Sequence, residues 1–221
     1  MLSVIVPVYN SAENLETCLS SLVNQTLKDI EIIVIDDVST DNSKEIIERF
    51  ANKYKNVKAY YNNSNLGVGY ARNIVLKLAT GNYIGFVDSD DYVNRTMYEY
   101  MLDDAIKEGF PDIVITGIRF VTNNNYALVE LSFATQKASH KINDKGNHIY
   151  DISPSVCNKI FKRKLIGNYR FLEGCKWEDI TFTYAMYISA NELIELNHID
   201  YFYRRDISKG ISSINIIKTQ V

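Results

Sequence analysis

The amino-terminal part of the chain, up to Asp91, alternates between short β-branched apolar runs and segments with helical spacing. The runs with the length and composition of buried strands are 3–9, 31–37, 57–61 and 83–87. Between them, apolar residues recur every three or four positions, as on the buried face of a helix. This alternation predicts right-handed crossovers and a mostly parallel α/β sheet with helices on both faces.

The predicted helices follow the strands in order. The first carries an apolar stripe from Leu15 to Val23, the second buries Ile46, Ile47 and Phe50, and the third covers 70–79. The remaining chain is less regular. Its predicted elements are a helix at 97–107, a strand at 112–116, a hairpin within 119–150 with a loop near 123–125, helices at 154–165 and 178–190, a strand at 192–203 and a tail from about Asp206.

Composition removes several functional classes. The 221 residues carry a formal net charge of −3, without the basic excess of a nucleic-acid binder. Cys18, Cys157 and Cys175 lie far apart with no CxxC pair, which argues against a zinc knuckle and indicates reduced thiols in a cytosolic protein. The apolar amino terminus is too short to cross a bilayer and has no basic flank, so we expect a buried strand and at most peripheral membrane contact.

Polar and acidic residues stand where the predicted strands end. These strand ends are Tyr9-Asn10, Asp36-Asp37 and Asp88-Ser89-Asp90. In open α/β sheets, ligands bind outside the carboxyl ends of the strands. The sequence therefore predicts a ligand site built from these residues.

Asp88 and Asp90 are two positions apart, so extended geometry would point both carboxylates to the same side. A hard cation such as Mn²⁺ or Mg²⁺ would relieve their repulsion and leave coordination positions for phosphate oxygens. The simpler alternative is that Asp88, Asp90 and Asp91 form a polar turn or cap the next helix. Taken alone, so short an acidic motif favours that alternative.

Five segments together resemble glycosyltransferase family 2. They are VIVPVYN at 4–10, VIDDVSTDNS at 34–43, NLGVGYARN at 65–73, ATGNYIGFVDSDD at 79–91 and WEDITF at 177–182. The resemblance covers roughly 3–205 and implies a GT-A fold: a Rossmann-like, mostly parallel sheet flanked by helices, with a smaller mixed acceptor-side region. It divides a single domain, 1–221, into a nucleotide-sugar-binding half (1–105), an acceptor-side half (106–205) and a tail (206–221). Val38 departs from the pattern, since the family usually has glycine there.

The resemblance also implies roles on the donor side. Pro7 and Tyr9 resemble the wall beside the nucleotide base, and Asp37 resembles the acceptor of the imide N–H of uracil, which thymine shares. Arg72, after the flexible Gly67 and Gly69, would contact diphosphate oxygens. The alternatives are a Tyr9 packed in the core, an Asp36-Asp37 pair that caps a helix, and an Arg72 that is a solvated surface charge.

On the acceptor side, the resemblance implies that Asp179 is the general base. Glu178 and Asp179 could instead simply favour the first turn of a helix. Trp177 could stack on a sugar ring or be a buried core residue, with neither favoured. The basic residues Lys159, Lys162, Arg163 and Lys164 on a predicted helix form a solvated face or attract lipid phosphate.

The function expected from the resemblance is inverting transfer of a sugar from a nucleotide-diphosphate donor to a saccharide or lipid-linked acceptor, in surface polysaccharide assembly. Asp37 would contact the base, Asp88 would lie near the ribose, and Asp90 would be the main ligand of a metal on the diphosphate. The expected location is the cytoplasm, at the inner membrane face if contact occurs.

Two rival functions remain open. A nucleotidyltransferase would usually show a glycine-rich basic loop that VIVPVYN lacks, and a catalytically inactive sugar-nucleotide-binding module would not need the Glu178-Asp179 pair.

Overall fold

The computed structural model describes residues 1–122, 127–131, 140–141 and 153–205; for residues 122, 127–131 and 140–141 it describes the backbone alone. The strands are β1 (Leu2–Val8), β2 (Ile30–Asp36), β3 (Val57–Tyr61), β4 (Tyr83–Phe86), β5 (Tyr92–Val93), β6 (Ile113–Thr122), β7 (Ala127–Leu131), β8 (His140–Lys141), β9 (Lys159–Lys162) and β10 (Leu193–Arg205). The helices are α1 (Ala12–Val23), α2 (Ser43–Lys53), α3 (Val68–Leu76), α4 (Met97–Lys107), α5 (Arg163–Ile166) and α6 (Glu178–Ser189).

The strands form one mixed sheet in the order β3-β2-β1-β4-β9-β6-β10-β5, with β7 beside β6 and β8 beside β10. Strands β1 to β4 pair in parallel, as the amino-terminal alternation predicts. Strand β9 runs antiparallel between β4 and β6, and β10 returns parallel to β6. The predicted α/β class with a mixed second half is therefore confirmed.

The hairpin predicted within 119–150 is present where the chain is described, because β6 pairs antiparallel with β7. Its loop near 123–125 lies outside the described residues, as does the tail from Asp206. Within the described ranges, every helix is too short or too polar to cross a bilayer.

The core joins residues from both halves of the chain. Every residue of β1 and β2 is buried. Phe86 of β4 contacts three aromatic rings: Phe161 of β9, Phe171 in the chain before α6, and Phe182 of α6. Their ring centroids are 6.3, 5.3 and 6.0 Å away, respectively. This aromatic cluster joins β4 to β9, to α6 and to the chain before α6.

The helix predicted at 154–165 is wrong. Residues 153–158 have no helix or strand, residues 159–162 form β9, and only Arg163–Ile166 make a single helical turn. Both Ile160 and Phe161 are buried because β9 lies inside a sheet covered on both faces. A short apolar run of this kind is compatible with a strand or a helix, and the open position between β4 and β6 decides the outcome.

The predicted basic helical face is also wrong, because its first member is interior. Lys159 is 1% exposed, and its ammonium donates to the carbonyls of Ser153 and Ser155 and to Oδ1 of Asn158, at 2.7–2.8 Å. Three acceptors match the three N–H groups of an ammonium. Lys159 therefore holds the 153–158 segment, while Arg163 and Lys164 are exposed on α5.

Candidate active site

A crevice of about 500 Å³ opens at the carboxyl ends of β1, β2 and β4. It contains all seven residues predicted for the site: Pro7, Tyr9, Asp37, Arg72, Asp88, Asp90 and Asp179. Its other walls are the amino-terminal turns of α3 and α6. Residues far apart in sequence thus meet at the edge where a parallel sheet binds ligands.

Two aromatic side chains on the crevice are open to solvent. Tyr9, just after β1, is 52% exposed, and Trp177, just before α6, is 72% exposed. The alternatives that place Tyr9 or Trp177 in the core are therefore wrong. Trp177 has a φ of 66°, in the left-handed region that non-glycine residues rarely adopt. Such strain persists only where surrounding contacts impose it.

Asp37 anchors the loop that leads into α3. Its Oδ1 accepts hydrogen bonds from Asn62 Nδ2 at 2.6 Å and from the Leu66 amide at 3.3 Å, while Oδ2 accepts from the Gly67 amide at 2.8 Å. The first turn of α2 is bound by Asp41 instead, through the Ser43 amide. The carboxylate of Asp37 is therefore engaged with the 62–67 loop at the crevice wall.

Val38, where the family pattern has glycine, adopts a backbone conformation that favours glycine. Its φ of 66° lies in the left-handed region where glycine fits without steric cost. The turn after β2 thus keeps its conformation although a β-branched residue occupies it.

Arg72 is a buried connection between two acids. It is 3% exposed, which excludes a solvated surface charge. Its Nη2 donates to Asp88 Oδ1 at 2.7 Å, and its Nη1 donates to Glu178 Oε1 at 2.5 Å. Both terminal nitrogens of the guanidinium thus bind carboxylates, one just after β4 and one at the start of α6. Contact between Arg72 and a diphosphate stays a prediction.

The three acids after β4 occupy different environments. Asp91 is buried, accepting from the Tyr201 hydroxyl at 2.6 Å and the Arg204 amide at 2.7 Å. Burial, with the charges of Asp90 and Asp88, raises its pKa well above the usual range. Asp88 and Asp90 line the crevice instead, and α4 begins only at Met97, so neither caps that helix. The Asp91 N–H does bond the Asp88 carbonyl, so the polar turn is present as well.

The donor set of the crevice suits a hard cation. Its acidic lining contains carboxylates without histidine or cysteine, and Mn²⁺ and Mg²⁺ prefer oxygen ligands. Across the described ranges, no group of three or more His, Cys, Asp or Glu side chains could hold a metal by itself. A cation here would need oxygens from a ligand, as the Asp88 and Asp90 prediction assumes.

Asp179 stands in the first turn of α6 and is partly exposed to the crevice. Burial raises its pKa, the nearby Arg72 guanidinium limits the rise, and the charges of Glu178 and Asp88 add to it. A carboxylate with a raised pKa accepts a proton more readily near neutral pH. The arrangement is suited to proton removal from a group bound in the crevice.

The contacts of several side chains around the site were not predicted from the sequence. Glu178, an acidic residue of the first turn of α6, is buried against Arg72. Asn73, next to Arg72 in the GYARN segment, binds the chain before α6. Its adjacency to Arg72 was the available signal, but partners about 100 positions away cannot be read from local pattern.

Known proteins resemble this chain over most of its length. The sequence model of Glycosyl transferase family 2 matches residues 3–170. Glycosyltransferase GlyG of Streptococcus pneumoniae serotype 4 is 31% identical over 216 residues, which cover 93% of this chain and 71% of GlyG.

The poly(ribitol-phosphate) beta-N-acetylglucosaminyltransferase TarS of Staphylococcus aureus is 33% identical over 91% of this chain and 35% of its own length. The crystal structure of TarS 1-349 in complex with UDP-GlcNAc superposes with a TM-score of 0.79 and 30% identity, over 92% of this chain and 58% of that one. The GT-A fold expected from the sequence is therefore confirmed, while the chain spans only about a third of full-length TarS.

Proposed function

Because the chain belongs to glycosyltransferase family 2, we propose that it transfers a sugar from a uridine diphosphate donor to an acceptor hydroxyl with inversion. The observation that carries the proposal is the single crevice that holds Asp37, the Asp88–Asp90 pair and Asp179. Binding groups and a base of raised pKa face the same space, as transfer between two substrates requires.

The nucleotide base lies against Pro7 and Tyr9, within reach of Asp37. Tyr9 supplies an exposed aromatic face, and a carboxylate oxygen can accept two hydrogen bonds. Asp37 Oδ2 can therefore accept the imide N–H of uracil in addition to the Gly67 amide. UDP-GlcNAc in the TarS complex supports a uridine donor. The ring of adenine carries no N–H that could donate to Asp37, so UDP should bind better than ADP.

The diphosphate lies beside the Asp88-Ser89-Asp90 turn. Mn²⁺ or Mg²⁺ held by Asp90, with Asp88, would offset the negative charge on the departing nucleotide. Arg72 keeps Asp88 in place through its Nη2 contact. Ser11 and Ser89, whose hydroxyl oxygens are 2.6 Å apart, form the polar wall next to this turn.

Asp179 removes the proton from the acceptor hydroxyl as its oxygen attacks the anomeric carbon. The base lies across the donor from the departing diphosphate, so attack from its side inverts the anomeric centre. An α-linked donor would then give a β-linked product. A sugar-nucleotide-binding module would have no use for a partly buried carboxyl of raised pKa at this position.

The acceptor is a saccharide or a lipid-linked saccharide in surface polysaccharide assembly. TarS, whose name specifies a poly(ribitol-phosphate) acceptor, supports a polymeric acceptor in this family. Residues 106–205 form the acceptor-side half of a single catalytic domain. The reaction takes place in the cytoplasm, with peripheral contact at the inner membrane face for a lipid-linked acceptor.

Replacement of the base tests the enzymatic proposal. Asp179→Asn keeps the size of the side chain but cannot accept the proton, so we expect transfer to fall by about 10²–10⁴-fold. UDP affinity and thermal stability should remain unchanged. The assay measures UDP released from a panel of UDP-sugars with and without candidate acceptors. Asp103→Asn, on the exposed face of α4, is the control and should retain wild-type activity. Full activity of Asp179→Asn would refute the mechanism.

Removal of Asp90 tests the metal. Asp90→Ala should abolish the gain in UDP affinity that Mn²⁺ produces, because it removes the main protein oxygen ligand of the cation. Isothermal titration of UDP with and without Mn²⁺ measures this gain, and the melting temperature should stay near that of the wild type because Asp90 is exposed. If the variant shows the same Mn²⁺-dependent gain, Asp90 does not bind the metal.

A further inference from the structure

The segment before α6 has no regular secondary structure. Residues 167–177 form neither helix nor strand, yet they end at the turn that carries Asp179. Without a ladder of backbone hydrogen bonds, the position of such a segment depends on side-chain contacts. Helix α3 supplies several of those contacts.

Asn73 of α3 binds both backbone polar groups of Phe171. Its Oδ1 accepts from the Phe171 N–H at 2.9 Å, and its Nδ2 donates to the Phe171 carbonyl at 2.9 Å. The same Nδ2 donates to the Glu173 carboxylate at 3.0 Å. Asn73 is buried, so water does not compete for these bonds. The carboxamide therefore replaces the pairing that a neighbouring strand would give.

This pairing orients the Phe171 ring between α3 and α6. One face lies under the Arg72 guanidinium, 5.2 Å from the ring centroid. The other face stacks on Phe182, with centroids 4.0 Å apart and planes 9° from parallel. Phe182 follows Asp179 by three positions on α6, about one helical turn. The Phe171 ring thus connects Asn73 with α6 one turn after Asp179.

Helix α3 also touches the segment without an intervening side chain. A Cβ placed on Gly69 would lie 2.5 Å from the Leu172 carbonyl oxygen and 3.3 Å from Glu178 Cγ. Only glycine allows this approach. Helix α3 therefore contacts the segment through Asn73 and Gly69, and the start of α6 through the Arg72–Glu178 pair.

We infer that Asn73 is a positioning residue for the transfer reaction, acting through Phe171 and Phe182 to hold Asp179 towards the donor crevice. The inference rests on the proposed role of Asp179 as the base. Helix α3 then has a role apart from donor binding. Asp37 holds its amino-terminal end through the Gly67 amide, and Asn73 in its second turn positions the base.

The test is Asn73→Ala, with Gln25→Ala as the matched control. Gln25 is also a buried amide with three hydrogen bonds to backbone groups, at Ser21, Asn94 and Tyr98, away from the crevice. We expect kcat of Asn73→Ala to fall by about 10²-fold, as for a displaced catalytic group. UDP affinity should be unchanged, and Gln25→Ala should keep its kcat per folded molecule.

The pH profile supplies a readout that a purely structural role would not move. Burial raises the pKa of Asp179, so release of the segment should let that pKa fall. Because the ionised carboxylate is the active form, the acid limb of the kcat profile should move to lower pH in Asn73→Ala. Equal kcat and an unmoved limb in both variants would overturn the inference.

If Asn73→Ala does not fold, hydrogen exchange of the wild-type protein tests the role of Asn73. The Phe171 amide, bound to Asn73 Oδ1, should be protected as strongly as amides inside α6, and fast exchange would overturn the inference. Failure of the proposed function is distinct, since it would appear as full activity in Asp179→Asn.

Discussion

At the scale of single residues, Arg72 decides how the acids of the site are arranged. Its guanidinium lies between Asp88, whose side chain is partly exposed to the crevice, and the buried Glu178. Removing one partner of a buried ion pair is costly because it leaves a charge without compensation. The three residues carry one positive and two negative charges, so the effect of a substitution depends on which charge is lost.

Glu178→Gln and Arg72→Met should have opposite effects on the acid limb of activity. The Glu178 charge raises the pKa of Asp179, and the Arg72 charge lowers it. Loss of Glu178 should therefore move the limb to lower pH, whereas loss of Arg72 should move it to higher pH. Profiles of kcat against pH for both variants measure the two shifts, and shifts in the same direction would contradict the arrangement.

The same pair of variants differs in stability. Glu178→Gln leaves a balanced Arg72–Asp88 pair and should cost about 1–3 kcal/mol, the range for a buried polar group with an impaired partner. Arg72→Met leaves two carboxylates without their cation and should cost about 3–5 kcal/mol. Urea unfolding at neutral pH measures both values, and a smaller cost for Arg72→Met would be inconsistent with its central position.

At the scale of elements, β9 is where the fold departs most from local pattern. The strand fills the position between β4 and β6 and carries Lys159 into the interior. The ammonium binds three acceptors of the preceding segment, which makes that segment and the strand one unit. Burial of this lysine has a consequence for the pH dependence of stability.

Lys159→Met should change how stability varies with pH. Burial lowers the pKa of Lys159 to about 7 in the folded protein, against about 10.4 for an unperturbed lysine. Between these values the unfolded chain binds a proton that the folded chain has released, so this lysine makes stability rise with pH. Each pH unit crossed adds at most about 1.4 kcal/mol.

The measurement is urea unfolding of wild type and variant between pH 7 and pH 10. The free energy of unfolding of the wild type, relative to Lys159→Met, should increase across this window. Lys164→Met removes an exposed lysine of α5 and should show no such trend relative to the wild type. A relative stability that is constant or falls with pH would contradict a lowered pKa for Lys159.

At the scale of the whole molecule, residues 1–105 and residues 106–205 share one sheet and one core. Strand β4 pairs with β1 on one edge and with β9 on the other. Phe86 of β4 contacts three aromatic rings that all come from residues after 160. The first of these two parts therefore depends on the second for its interior.

A fragment of residues 1–105 should not fold alone. It would leave one edge of β4 unpaired and expose Phe86, whose partners would be missing. Amide NMR spectra and urea unfolding of this fragment, beside the 1–205 chain as control, test the expectation. A cooperative unfolding transition of the fragment would show that the halves are independent.

The sequence by itself determined the parallel first half and the strand-end crevice with Pro7, Tyr9, Asp37, Asp88 and Asp90, while the places of Arg72 and Asp179 in it were implied by the family resemblance. Apolar periodicity and β-branched runs report local burial, and the ends of parallel strands necessarily lie on one edge of the sheet. Tertiary structure alone decided that 159–162 would be a strand, that Lys159 would be interior and that Glu178 would face Arg72. Each of these depends on satisfying a buried polar group or an unpaired strand edge with partners distant in the chain. Local sequence pattern cannot identify such partners, because they are distant in the chain: Arg72 and Glu178 are 106 positions apart.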